Sequence, residues 1–276
     1  MPTEPGQSNV TETSASTRTS TRREARARIL RTVVRIPIDY WVSICVFFAP
    51  AIATAIARAA LGAHPSPAAI AELGYGWPAL EGGRIWTPFT GAIVDRGLEI
   101  SFIPGYTFFA VVLLEHKAKH WRTILFLIGG QVVGVLLGLL LTWPLKSGTS
   151  PFAVEQTTVV DFGISVGGFC CLGAWTAYIG AAWRRPIRTL VSCYLAAQLL
   201  LSGLIFDVSH PMGWIVGLVG GQALMRPAAI DRTPLRIPVD VALLIVAVAL
   251  GTTVGVVAAW TGGGVGGIFG WGPGRG

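Results

Sequence analysis

The clearest pattern along the chain is a series of long apolar runs separated by polar stretches. Seven runs occur, at 40–61, 101–115, 121–143, 158–182, 187–206, 208–225 and 238–260. A helix needs about 17–20 apolar residues to cross a bilayer, and its backbone must satisfy its own polar groups there. The runs do not alternate as the strands of a membrane barrel do. The pattern therefore predicts an all-α, polytopic membrane helix bundle.

Polar and low-complexity stretches divide the chain into four regions. Residues 1–35 are rich in Ser, Thr and Arg and have no apolar period, which predicts a disordered basic tail. The tail is expected to be retained, because the first apolar run starts too late for a signal peptide. Residues 36–225 hold the first six runs and a long loop, 62–100, whose aromatic residues suit the membrane interface. A further loop and the seventh run occupy 226–260, and the Gly-rich end, 261–276, is predicted to be flexible.

The Lys and Arg residues alternate between successive loops. The N-terminal tail and the loops after the second, fourth and sixth runs are basic, whereas the intervening loops carry few Lys or Arg residues. Because basic loops stay in the cytoplasm, the N-terminus is predicted to be cytoplasmic. The loop 62–100 and the C-terminus are then expected outside.

Composition argues against a soluble protein and a nucleic-acid partner. Only 13% of the residues are charged, 52% are hydrophobic and the mean hydropathy is +0.61, whereas a soluble domain carries about 25% charged residues. The net charge is +7. The basic residues lie beside the apolar runs, where contact with anionic lipid headgroups explains them. The four cysteines form no CxxC pair or Cys/His cluster, so no metal or cofactor is expected. The abundance of Ala, Gly and Arg is typical of a GC-rich bacterium, so the expected location is a bacterial cell membrane.

Two polar residues stand out within the apolar runs. Ser165 lies in the fourth run and His210 at the start of the sixth. Both runs are predicted to cross from outside to inside, so the two residues are expected at similar depth near the outer face. A Ser–His pair within hydrogen-bond distance is the minimal equipment of an activated serine nucleophile. A lone membrane Ser more often packs as a small residue, whereas an intramembrane His is by default a functional hypothesis.

Glycines at helical spacing flank both residues. They are Gly163, Gly167, Gly213, Gly217 and Gly221. Small residues at every fourth position allow two membrane helices to approach closely, although the spacing alone is a weak signal because membrane helices are rich in Gly. The pattern predicts that the fourth and sixth helices pack together and bring Ser165 to His210.

Together these motifs resemble the rhomboid family of intramembrane serine proteases. That family has a GxSG-type motif with a later Gly-Ala pair, an aromatic residue four positions after the serine, and a His followed by regularly spaced glycines. The matching residues here are Gly163, Ser165, Phe169, Gly173, Ala174, His210, Gly213, Gly217 and Gly221. The resemblance implies a six-helix core, to which a seventh, C-terminal helix is added. It also implies that the Phe169 ring packs on His210.

Weaker likenesses lie upstream, so that the resemblance extends over residues 80–225. The stretch GRIWTPFT is similar to the start of the family's outer loop, where an Arg and a Thr recur, as Arg84 and Thr87 do here. Glu115 holds the family's acidic position before the third helix. We expect Glu115 to pair with Lys119 or Arg122, which follow it at close spacing.

The chain also departs from the family pattern. Val166 stands where the family has Gly, and Glu99 and Ile103 stand where its proteases have the His and Asn that bind the oxyanion. Loss of one oxyanion donor costs about 100–1,000-fold in rate. Backbone N–H groups near Ser165 are one substitute, because a helix start leaves its first amides unpaired. The side chains that remain as substitutes are Tyr106, Thr107 and Gln131.

Three functions are compatible with this pattern to different degrees. The resemblance implies a protease that hydrolyses a peptide bond in or near a transmembrane segment of a membrane-protein substrate, with Ser165 as nucleophile and His210 as general base and acid. The alternative is a proteolytically inactive rhomboid-like protein that binds or stabilises other membrane helices. A transporter or channel would need charged residues in mid-helix or an inverted repeat, and neither is found.

Overall fold

A computed structural model describes residues 38–62, 66–94, 105–201 and 205–224, and the structural statements below concern these ranges. The chain divides into two compact units, 1–41 and 42–276. Only residues 38–41 of the first unit are described. The basic tail, the seventh run and the Gly-rich end predicted from the sequence lie outside the described residues.

Helices make up most of the described chain, and it contains no β-strand. They are α1 (Trp41–Leu61), α2 (Pro67–Ala71), α3 (Trp77–Glu81), α4 (Thr87–Ile93), α5 (Gly105–Lys117), α6 (His120–Ser147), α7 (Pro151–Thr158), α8 (Ser165–Trp175), α9 (Ala181–Leu201) and α10 (Ile205–Leu224). Within α6, Leu125–Gly129 is π-helical and Trp143–Ser147 is 3₁₀-helical. The predicted all-α class is confirmed for these residues.

Two of the described helices are long and apolar enough to cross a membrane. They are α1, with 21 residues, and α6, with 28 residues. They correspond to the predicted runs 40–61 and 121–143. The other described helices do not meet the same combined criterion of length and hydropathy.

The fourth apolar run is not the single long helix that its composition predicts. Residues 158–182 contain one complete α-helix, α8 (Ser165–Trp175), together with only the last residue of α7 and the first two residues of α9. Before α8 the chain is extended, because the backbones of Asp161 and Tyr75 exchange two hydrogen bonds of 2.7 and 2.9 Å. A turn at Gly163, with φ of +99°, then redirects the chain. The helix therefore begins at Ser165.

The described part of the loop 62–100 is largely helical. Its described part contains α2, α3 and α4, and each of these helices has a proline in its first turn, where the missing N–H costs nothing. Trp86 and Phe89 are about half exposed. Tyr75 and Trp77 are buried against α6 and Val166 instead, so these two rings contribute to the packing of the protein.

Helix α8 forms the centre of the structure and packs against α5, α6 and α10. Its contact with α10 is close because glycines of each helix face the backbone of the other helix. A Cβ added at Gly173 would lie 2.7 Å from the Trp214 carbonyl oxygen, and one at Gly221 would lie 2.8 Å from Ala174 Cα. Added Cβ atoms at Gly213 and Gly217 would overlap the backbone of α8. The predicted close packing of these two helices is thus present.

Candidate active site

Ser165 is the first residue of α8 and stands at the start of the glycine-lined contact with α10. It is presented there by the preceding turn, in which the Gly163 amide donates to the Gly91 carbonyl oxygen at 2.6 Å. An added Cβ at Gly163 would meet no atom within 4 Å. Gly163 is therefore a turn residue whose positive φ favours glycine, and the expectation that it lies on a helix-packing face with Gly167 is wrong.

The structure brings Ser165 and His210 into contact. Ser165 Oγ lies 2.7 Å from His210 Nε2, within the normal range of a hydrogen bond. His210 is buried in α10 with 6% of its surface exposed. Because α8 and α10 meet along glycine faces, residues 45 positions apart in sequence share one hydrogen bond.

One aromatic ring, that of Phe169, packs against the histidine. The ring centroids of Phe169 and His210 are 5.1 Å apart at an interplanar angle of 50°, so the predicted contact between these rings is present. Phe169 also contacts Tyr106 of α5, at 5.5 Å, and Tyr194 of α9, at 6.3 Å. The imidazole thus has an apolar flank, which restricts the positions that its ring can take.

Gln131 of α6 holds the turn that carries Ser165. Its Nε2 donates to the Gly163 carbonyl oxygen at 3.0 Å, and its Oε1 accepts from the Gly167 amide at 2.9 Å. The side chain is buried, with 1% exposed. The sequence suggested Gln131 only as a substitute oxyanion donor. Since a buried polar group needs partners, a lone Gln in the run GGQVVGV could have been identified as a structural hydrogen-bonding residue.

Tyr75 gives the same turn a second support that the sequence did not predict. Its hydroxyl donates to the Gly163 carbonyl oxygen at 3.2 Å. Burial and, to a lesser degree, the nearby Asp161 carboxylate raise the pKa of Tyr75 well above its ordinary value. The hydroxyl therefore remains protonated and able to donate. Asp161 itself accepts from the Phe162 amide at 2.7 Å and is not the N-cap of α8, which is Ile164.

Two of the first four amides of α8 are available as donors near the serine hydroxyl. The Gly167 amide is taken by Gln131, and the Gly168 amide donates to the Ile164 carbonyl oxygen at 3.0 Å. Within the described ranges, the amides of Ser165 and Val166 have no hydrogen-bond partner. The start of a helix carries a partial positive charge as well. These two N–H groups are the backbone donors that could bind a developing oxyanion.

The side chains proposed as substitute oxyanion donors lie in different surroundings. Glu99 and Ile103, at the family's donor positions, are outside the described residues. Tyr106 packs its ring against Phe169, whereas Thr107 is buried beside Gly168. The Gln131 amide is committed to Gly163 and Gly167, so it is not directed to the serine hydroxyl.

The upstream residues of the resemblance have structural contacts. The Glu115 carboxylate accepts from the amides of Val42 and Ser43, at 3.0 and 2.8 Å, and from the Ser43 hydroxyl. It also lies 2.8 Å from His120 Nδ1. The observed ionisable partner is thus His120 rather than Lys119 or Arg122. Glu115 ties the start of α1 to the end of α5, because it supplies acceptors to amides that a helix start leaves unpaired.

Arg84 and Thr87 stabilise the loop in which they lie. The Thr87 hydroxyl donates to the Arg84 carbonyl oxygen at 2.8 Å, and the Arg84 guanidinium donates to the Pro78 carbonyl oxygen at 3.4 Å. Both bonds are local, so these residues shape the loop and take no part in the Ser–His contact.

No protein-family model, no curated protein and no solved structure matches this chain. A functional interpretation therefore depends on the geometry around Ser165.

Proposed function

We propose that this protein is a rhomboid-like intramembrane serine protease that hydrolyses a peptide bond in or near a transmembrane segment of another membrane protein. The single observation that carries the proposal is the 2.7 Å contact between Ser165 Oγ and His210 Nε2. A hydrogen bond between a hydroxyl and an imidazole at the start of a buried helix is the arrangement that activates a serine. The resemblance of the surrounding motifs to the rhomboid family adds support.

The proposed architecture is a six-helix membrane core with a seventh C-terminal helix, a cytoplasmic N-terminus and a location in the bacterial cell membrane. Large apolar side chains on the outer faces of the helices support a lipid environment, since soluble proteins rarely expose so many. Those more than half exposed include Ile52, Ile56, Leu140, Leu141, Leu190 and Val219. They lie on α1, α6, α9 and α10, so the apolar surface extends around several helices.

The proposed chemistry follows from the two side chains and the helix start. His210 Nε2 takes the proton of the Ser165 hydroxyl as Oγ attacks the carbonyl carbon of the substrate. The N–H groups of Ser165 and Val166 stabilise the negative charge on the former carbonyl oxygen. His210 then returns the proton to the leaving amine, and an acyl-enzyme remains on Oγ. Water, activated by the same imidazole, hydrolyses this ester and releases Ser165.

A proteolytically inactive protein that binds or stabilises other membrane helices is the second candidate. It is favoured by Val166, which stands where the family has Gly, and by the commitment of the Gln131 amide to backbone groups. Such a protein needs no reactive serine. The two candidates therefore differ in one measurable property, the nucleophilicity of Ser165.

Labelling with a fluorophosphonate probe in proteoliposomes tests the proposal. We expect the wild-type protein to be labelled, and Ser165→Ala and His210→Ala to lose labelling, because one lacks the nucleophile and the other the base. Ser209→Ala is the matched control, since Ser209 is a buried serine that adjoins His210 in α10. This control should keep its labelling.

An unlabelled, correctly folded wild type that also leaves model transmembrane substrates intact would contradict the protease proposal. Binding of those substrates without cleavage would then support the second candidate.

A further inference from the structure

The amide of Gln131 joins two points of the backbone that lie on either side of Ser165. The Gly163 carbonyl oxygen comes two residues before the serine and the Gly167 amide two residues after it. The donor is 3.0 Å from one and the acceptor 2.9 Å from the other. One side chain from α6 thus spans the whole turn that presents the nucleophile.

Each of the two hydrogen bonds has a separate effect on the serine turn. The bond to Gly167 satisfies an amide in the first turn of α8, which has no acceptor within its own helix. That function usually belongs to an N-cap side chain, and the N-cap of α8, Ile164, offers none. The bond from Gln131 to Gly163 fixes the carbonyl group of the residue with positive φ. Together they determine the direction in which α8 begins.

The burial of Gln131 makes this arrangement rigid. Only 1% of the side chain is exposed, and it lies against Tyr75, whose hydroxyl shares the Gly163 carbonyl oxygen. A buried amide that lost either bond would leave an unsatisfied polar group. The turn therefore has little freedom to move without breaking several hydrogen bonds at once.

We propose that Gln131 is a positioning residue for Ser165: its amide clamps the turn 163–167, aims Oγ at His210 and directs the Ser165 and Val166 amides to the oxyanion. The catalytic effect of this clamp rests on the proposed protease function, whereas the presence of the clamp is independent of that function. Gln131 touches neither the substrate nor the reacting atoms, and its Nε2 is committed to Gly163, so it is no oxyanion donor.

Two substitutions separate the hydrogen bonds from the volume of the side chain. Gln131→Met keeps a similar volume and removes both bonds. Gln131→Glu restores both while its carboxyl is protonated, because the O–H then donates to Gly163 and the C=O accepts from Gly167. Once ionised, the carboxylate can only accept and repels the Gly163 carbonyl oxygen. Gln156→Met is the matched control, since Gln156 is equally buried but lies in α7.

The first measurement is the rate of fluorophosphonate labelling of each variant relative to the wild type, from about pH 5 to about pH 9, a range that spans carboxyl ionisation in a buried site. Gln131→Met should be slower by on the order of 10–100-fold at every pH, because small misplacements of reacting groups cost up to about 100-fold. The relative rate of Gln131→Glu should rise as the pH falls. Equal loss in both variants at all pH values, or no loss in Gln131→Met, would overturn the proposal.

The second measurement is hydrogen exchange of the segment 163–168, which requires no activity. The Gly167 amide should exchange faster in Gln131→Met than in the wild type and in Gln156→Met. Unchanged exchange would overturn the clamp even if the protein is an active protease. Faster exchange in a protein that the probe does not label would retain the clamp and reject the protease function.

Discussion

Gly163 determines where Ser165 stands. Its φ of +99° turns the extended segment that follows Asp161 into the start of α8, and this conformation is one that side chains with a Cβ rarely adopt. The turn is held from three sides, by the Gly91 carbonyl oxygen, the Tyr75 hydroxyl and the Gln131 amide. At the scale of single residues, the site is therefore a serine on a fixed turn facing a buried histidine.

Replacing Gly163 with Ala should destabilise the protein and slow serine labelling. The new Cβ would meet open space, so its cost is backbone strain alone, about 1–2 kcal/mol for a left-handed conformation. Gly180→Ala is the control, because Gly180 also has open space around it but no positive φ. Thermal unfolding in detergent and labelling rates measure both effects. If the two variants behave alike, the turn at Gly163 does not depend on its positive φ.

The contact between α8 and α10 is the feature that assembles the site at the scale of elements. Glycines on both helices remove the side chains that would hold the axes apart, so the backbones approach closely. His210 lies near the start of this contact and Ser165 at the start of α8. Any residue that widens the spacing of the helices must also lengthen the Ser165–His210 hydrogen bond.

Gly217→Ala should therefore reduce both stability and labelling. Its Cβ would overlap the Cys170 backbone, and overpacking of this kind costs about 1–3 kcal/mol. The control is Gly129→Ala, in which the Cβ would have its nearest contact at 3.7 Å, to Leu125. Calorimetry or fluorescence-detected unfolding gives the stabilities, and labelling reports on the dyad. A loss of stability in Gly129→Ala as large as that in Gly217→Ala would argue against the close-approach explanation.

At the scale of the whole molecule, the pattern of charge predicts an orientation in the membrane. The basic loop that contains Lys119 is expected in the cytoplasm and the loop 62–100 outside, because positive loops are retained on the cytoplasmic side. With Ser165 near the outer end of its run, the proposed reaction would take place close to the outer face. In the proposed protease, this orientation would decide which part of a substrate helix can reach the serine.

Thiol labelling of intact cells measures this orientation directly. In a background without the natural cysteines, Glu72→Cys should react with a membrane-impermeant reagent and Lys119→Cys should react only after permeabilisation. Both positions are exposed, so accessibility within the protein does not separate them. Reaction of both variants in intact cells would contradict the predicted topology.

The sequence by itself determined the helical class, the runs 40–61 and 121–143 and the pairing of Ser165 with His210. These depend on local hydropathy and on glycine spacing, which act through neighbouring positions of one helix. It did not determine where α8 begins, since run 158–182 is mostly apolar along its length and its break depends on the pairing of Asp161 with Tyr75. Nor did it determine the partner of Glu115 or the role of Gln131. Those are hydrogen bonds between segments that are distant in sequence. Such bonds form only where helix packing brings donor and acceptor atoms within reach, and local hydropathy does not specify that packing.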